Sequence, residues 1–141
     1  THVNNIISGN IIDTCGDYGM NLLYLTESLI TGNTIKNTGS DAQKAGIYGT
    51  DLQRCSISNN YFVGNGSQMT YAYTESSSDG NLIKDNYIYN AATAMINTSS
   101  LGANSKTYDN WDGVSAMGTY TTEAVCVDNE TVCIDNEIVT Y

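Results

Sequence analysis

One histidine, His2, and one arginine, Arg54, set narrow limits on the chemistry open to this chain of 141 residues. A Ser–His–Asp triad needs a positioned imidazole, and the only one stands at the very start of the sequence. Carboxylates are plentiful by contrast. Fifteen Asp and Glu face five Lys and Arg, for a formal net charge of −10. Glycoside hydrolysis needs two carboxylates on one cleft, about 5 to 9 Å apart. Asp13, Asp17, Asp41 and Glu75 are the candidates. The four cysteines are Cys15, Cys55, Cys126 and Cys133. They allow three disulfide connectivities, and spacing does not choose among them. No pair has C-x-x-C spacing, so a structural zinc site is not indicated. The cysteines read as small buried hydrophobes, with Cys126 and Cys133 able to bridge a short loop. No glycine motif for phosphate occurs, and no cofactor or metal is implied.

The charge also limits partners. A surface this acidic repels phosphate backbones and anionic lipid, so neither nucleic acid nor membrane is expected as a partner. The longest apolar run, Leu22 to Leu25, is far too short to span a bilayer. No basic-then-apolar leader opens the chain, which begins at Thr1 and reads as a processed segment of something longer.

These side chains need a scaffold, and the sequence writes one as a repeat. The phrase is Ile-x-x-Asn-x-(Ile/Phe). It occurs as Ile7 to Ile12, Ile30 to Ile35, Ile57 to Phe62 and Ile83 to Ile88. A further copy runs from Cys133 to Ile138, and a degraded one from Thr107 to Asp112. The asparagines stand at 10, 33, 60, 86, 110 and 136, spaced 23, 27, 26, 24 and 26 apart. That period is too short for helix pairs or propeller blades. The texture is strand and turn, with no sustained helical pattern.

A second motif lies between the asparagines. It pairs a small residue with a large apolar one: Gly19-Met20, Gly46-Ile47, Ala72-Tyr73, Ala94-Met95 and Ala116-Met117. The distance from each Asn to this strand varies, so one connection per coil changes length. The expectation is an all-β parallel solenoid of about six coils, a rod on the order of 29 Å long. Residues 1–104 read as regular coils and 105–141 as degraded coils or a C-terminal cap. The near-duplication from Val125 to Ile138 fits either a hairpin or a last coil. The repeating Asn suits a left-handed corner, and its amide can bond the next Asn along the stack.

The phrases Ile-Ser-Gly-Asn-Ile-Ile, Ile-Thr-Gly-Asn-Thr-Ile and Ile-Ser-Asn-Asn-Tyr-Phe resemble coils of the right-handed parallel β-helix, or pectin-lyase-like, superfamily. The resemblance covers roughly residues 4 to 138. It implies that the Asn ladder turns the second strand of each coil into the third. The variable connection then leads to the first strand of the next coil. It implies no single activity, because the fold hosts lyases, hydrolases, epimerases, tailspikes and adhesins. The Asn-Thr-Asp, Asp-Asp, Gly-His-Gly and Arg-Ile-Lys signatures of the family's polygalacturonan hydrolases are absent.

The register places equivalent residues in files. One position after each Asn stand Ile11, Thr34, Tyr61, Tyr87, Trp111 and Glu137, and these side chains should point outward. Tyr61, Tyr87 and Trp111 would then form an exposed aromatic file. It suits carbohydrate, or else it covers a strand edge or a subunit contact. One position before each Asn stand Gly9, Gly32, Asn59, Asp85, Asp109 and Asp135. These aspartates either share a cation or splay into solvent. The expected function is a β-helix of an extracellular or virion-surface protein that binds or degrades polysaccharide, like a tailspike, either as a homotrimer or stacked on further coils of a parent chain. The alternative is a structural rod or stalk.

Overall fold

A computed structural model describes residues 2–38, 45–64, 69–91, 94–113, 126–128, 131–134 and 137–140. Three long parallel sheets run along the molecule, beside a short parallel pair of His2–Val3 with Leu25–Thr26. The first stacks Met20–Leu23, Ala45–Thr50, Tyr71–Ser76 and Ala94–Ile96. The second stacks Ile6–Ser8, Leu29–Thr31, Ser56–Ser58, Leu82–Lys84 and Lys106–Tyr108. The third stacks Ile11–Asp13, Thr34–Lys36, Tyr61–Val63, Tyr87–Tyr89 and Trp111–Asp112. Successive strands of one coil thus lie in different sheets, and each strand pairs only with its equivalents one coil away.

The inward positions form continuous apolar stacks. Ile7, Ile30, Ile57 and Ile83 align along the second sheet, and Ile12, Ile35, Phe62 and Ile88 along the third. Met20, Ile47, Tyr73 and Ile96 align along the first. From Ile30 to Ile88 these residues are buried in the core. Ile7 and Ile12, on the first coil, are only half-buried and pack on it from one side.

The asparagine ladder forms as the repeat requires. Asn33 donates both its backbone N–H and its Nδ2 to the Oδ1 of Asn60, at 3.1 and 3.0 Å. Asn60 makes the same pair of bonds to Asn86, and Asn86 to Asn110. The spare Nδ2 hydrogen of Asn60 reaches the Ile30 carbonyl at 2.9 Å. Each buried amide is therefore fully occupied, which a turn inside a packed rod demands.

Left-handed backbone falls one residue earlier than the sequence suggested. The residues with positive φ are Gly9, Gly32, Asn59, Asp85 and Asp109, not the ladder asparagines. Three further files of left-handed corners recur along the coils. One holds Thr14, Asn37 and Asn90, the next Tyr24, Asp51 and Ser77, and the last Asn4, Glu27, Arg54 and Gly80. Bulky residues hold this conformation because hydrogen bonds to adjacent coils flank them, such as Tyr24 N–H to Thr50 O and Arg54 N–H to Asp79 O.

The glycines at the start of the first two first-sheet strands have a steric reason. A Cβ at Gly46 would stand 2.6 Å from the Phe62 ring and 2.9 Å from the Ala72 carbonyl. A Cβ at Gly19 would meet Ile35 at 2.5 Å. At these positions the chain passes too close to the third-sheet core for a side chain.

The sixth phrase is not a sixth coil. Thr131–Ile134 and Glu137–Thr140 pair antiparallel, with Cys133 opposite Ile138 and Ile134 opposite Glu137. Cys126–Asp128 pairs antiparallel with Thr131–Ile134. Adjacent alternating segments can satisfy their backbone groups on each other, so no coil is needed there. Asp135 and Asn136 themselves lie outside the described residues. The solenoid therefore shows five rungs on two sheets and four on the first, about four turns rather than six.

Removing one ladder amide should be costly in the middle and cheap at the end. Asn60→Ala is expected to lower unfolding stability by about 2 to 4 kcal/mol in urea denaturation, since it orphans buried partners on both sides. Asn10→Ala, at an exposed rung, should cost less than about 1 kcal/mol.

Candidate functional site

The first sheet carries a groove that the repeat phrase does not reveal. Tyr48 stands between Ile47 and Gly49, so alternation turns it outward while Ile47 points to the core. Its neighbours in register are Asn21 on one side and Thr74 on the other. Tyr18, in the connection before Met20–Leu23, stacks on Tyr48 with ring centroids 4.7 Å apart and planes 16° from parallel. Tyr71 opens the next strand and Asn97 follows the last one. Together Tyr18, Tyr48, Tyr71, Thr74 and Asn97 line a groove of about 420 Å³.

The polar side of this groove is held in place. The Asn97 N–H donates to the Tyr73 carbonyl at 3.0 Å, extending the parallel pairing by one bond. Its Nδ2 donates to Thr74 Oγ1 at 3.2 Å, and Thr74 Oγ1 lies 2.8 Å from Ser100 Oγ. Tyrosine rings and neutral hydrogen-bonding groups therefore share one concave surface.

The expected outward file on the third sheet is present. Tyr61 stacks on Tyr87 at 4.8 Å and 23°, and Tyr87 on Trp111 at 4.3 Å and 21°. Tyr61 is 41% exposed and Trp111 39%. The register that aligns them also makes each ring the neighbour of the next. Both faces of Tyr87 are covered by its partners, so this ring presents mainly its edge. Desolvation in the stack pushes the Tyr87 hydroxyl above the ordinary tyrosine range, with Tyr61 and Tyr89 adding to the effect.

The described candidate carboxylates stand on different elements. Asp13 ends a third-sheet strand, where Thr14 Oγ1 and Asn37 Nδ2 donate to its Oδ1 at 3.0 and 3.2 Å. Asp17 is exposed beside Tyr18 but does not line the groove. Asp41 lies outside the described residues. Glu75 is buried at 2% exposure. Its carboxylate accepts from Tyr73 OH at 2.6 Å, Asn81 Nδ2 at 2.9 Å and the Gly102 N–H at 2.8 Å. Burial and the adjacent Glu75 charge push the Tyr73 hydroxyl well above its usual range. Glu75 thus anchors the chain beyond the first sheet to the core, a structural duty.

The residues before the ladder have a backbone explanation. Gly, Asn and Asp are the types that best tolerate positive φ, and Asp85 and Asp109 both adopt 53°. Asp85 also accepts an ion pair from Lys84 at 3.0 Å, while Asp135 lies outside the described residues. Among the described residues, no group of three or more His, Cys, Asp or Glu is placed to hold a metal ion.

Soft donors are equally dispersed. Cys15 and Cys55 are free thiols. Cys55 is buried and donates to the Leu25 and Gln53 carbonyls at 3.4 and 3.6 Å. Desolvation raises its pKa above the usual thiol value. It belongs to a second polar ladder that the sequence reading overlooked. The file is Asn5, Ser28, Cys55, Asn81 and Ser105, five residues before each ladder asparagine. Its side chains accept backbone N–H groups one coil away, as from Cys55 N–H to Asn81 Oδ1 at 2.8 Å and Asn81 N–H to Ser105 Oγ at 3.1 Å. The fixed offset was the available signal; the mixture of Asn, Ser and Cys obscured it. The side chains of Cys126 and Cys133 are outside the described residues.

Three parallel sheets joined by a continuous asparagine ladder define a protein of the right-handed parallel β-helix class. The family model described as "Periplasmic copper-binding protein (NosD)" matches residues 1–123, and the chain belongs to that family. No curated protein and no solved structure matches it.

If the aspartate file serves the backbone, Asp85→Gly should fold with stability within about 1 kcal/mol of the parent, whereas Asp85→Val should lose about 1 to 2 kcal/mol. Millimolar calcium should leave the thermal midpoint of the parent unchanged. A calcium-dependent rise abolished by Asp85→Gly would restore the cation reading.

Proposed function

We propose that this β-helix binds polysaccharide along its flank, with the first-sheet groove as the main contact. The observation that carries the proposal is the joint lining of Tyr18, Tyr48 and Tyr71 with Thr74 and Asn97. Sugar rings pair an apolar face with a rim of hydroxyls, and this lining supplies partners for both. The groove runs across stacked coils, which suits an extended chain. The Tyr61, Tyr87 and Trp111 file adds a second, auxiliary contact through ring edges and hydroxyls.

The proposed activity is binding without cleavage. Among the described residues no carboxylate lines the groove, and the buried Glu75 is engaged with three donors. The family description names the periplasm, which supports a location outside the cytoplasmic membrane and lends nothing to a virion surface. It also names copper. The described donors are not gathered for that ion: His2 is exposed on the first coil, Cys15 is a half-buried thiol with no ligating group of three about it, Cys55 is buried as a thiol, and Met20 and Met69 are in the core. No copper chemistry is assigned to these coils.

One observation favours the alternative of a structural rod. The rings of Tyr61, Tyr87 and Trp111 spend their faces on one another. A glycan array followed by calorimetry separates the two. Binding should weaken at least tenfold in Tyr48→Ala, with Tyr48→Phe close to the parent, because losing the ring removes about 1 to 3 kcal/mol of contact. No binding to any glycan would leave the rod as the function.

A further inference from the structure

We infer that the first-sheet groove takes the flat, extended ribbon of a β-1,4-linked glycan, laid along the rod with one sugar to each coil. The inference rests on the glycan-binding reading above and adds the linkage class and the direction of the chain.

Its ground is a line of side chains that crosses the four strands of the first sheet. Asn21 is the register partner of Tyr48, and Tyr48 that of Thr74. Ile96 is the partner of Tyr73, so Asn97 falls beside Thr74. The Asn97 Nδ2 donates to Thr74 Oγ1 at 3.2 Å, which puts both side chains on the same face. The file thus offers an amide, a ring with its hydroxyl, a hydroxyl and a second amide, one group per coil. Asn21 is exposed at one end, and Thr74, at 7% exposure, lies in the floor of the groove. Tyr18 holds the Tyr48 ring from one face, at 4.7 Å, and Tyr71 borders the same groove.

Parallel pairing at a constant offset sets the pitch of this file at ~4.8 Å per coil. In β-1,4-linked glucose, mannose or xylose both bridging bonds are equatorial and leave opposite ends of the ring. Each sugar then advances by nearly the pitch of the coils, and the chain stays straight. Every ring meets one coil, where its hydroxyls find amide or hydroxyl partners. Laid along a strand instead, the ribbon would meet outward side chains only about every 7 Å, the two-residue repeat of a strand. An α-1,4 chain winds into a helix and a β-1,3 chain curves, so either touches only part of the file. Straightening such a chain costs conformational entropy that a ribbon does not lose.

The test is calorimetry on the full chain with five hexasaccharides. Cellohexaose, mannohexaose and xylohexaose are the ribbons; maltohexaose and laminarihexaose are the curved controls. At least one ribbon is expected to bind at least tenfold more tightly than either curved hexamer. Within that ribbon's series, affinity should rise with each sugar up to the tetramer and gain less than twofold beyond it. Asn21→Ala, an exposed change at one end of the file, should weaken the tetramer several-fold and the trimer less than twofold. A curved hexamer that binds as tightly as the best ribbon would overturn the inference while sparing the glycan reading. Array binding confined to other linkages would do the same. Equal weakening of trimer and tetramer by Asn21→Ala would overturn the placement along the rod. Failure of all five hexamers and of the wider array would overturn both the inference and the glycan reading.

Discussion

The asparagine ladder is the constraint on which the molecule depends. A coil that turns sharply inside a packed rod buries backbone donors and acceptors with no strand partner at hand. Asn33, Asn60 and Asn86 satisfy them by a repeated double donation to the next asparagine along the stack. A shift of one residue in any coil would break this file there and turn that coil's inward Ile, be it Ile30, Ile57 or Ile83, to the outside. Polar satisfaction and apolar stacking therefore enforce the same register.

The other corners are subordinate to that register. Left-handed residues as unlike as Tyr24, Glu27 and Arg54 share a conformation that their side chains do not favour. Parallel pairing before and after each corner imposes it. The polar file of Asn5, Ser28, Cys55, Asn81 and Ser105 works in the same way at lower chemical stringency. Glu75, a plausible acid by residue type, is absorbed into this internal wiring through Tyr73, Asn81 and Gly102. Much of the acidic and polar composition is thus turn and ladder chemistry, which is why composition pointed so weakly to activity.

Surface function is then left to positions that the core does not use. The outward sites of the third sheet are locked to the repeat, so their aromatics stack on each other. The outward sites of the first sheet are fed by connections of variable length, and there Tyr18 folds onto Tyr48 to wall a groove. Family membership fixes the β-helix class and names copper for the family. The donors in the described coils point instead to a surface of rings and neutral polar groups.

The sequence by itself determined the architecture. Ile and Asn at a recurring offset dictate strands, corners and a ladder, because stacking similar coils buries the phrase Ile of the inner coils and pairs their Asn amides. It also determined the outward file of Tyr61, Tyr87 and Trp111, which lies one residue from the ladder. Only the tertiary structure decided the groove, because Tyr18 reaches Tyr48 through a connection whose length changes from coil to coil. Only it turned the last copy of the phrase into an antiparallel hairpin, since strand pairing depends on which neighbour lies nearest. And only it separated the carboxylates: burial and hydrogen bonding, invisible in residue type, made Glu75 a structural anchor and left the groove neutral.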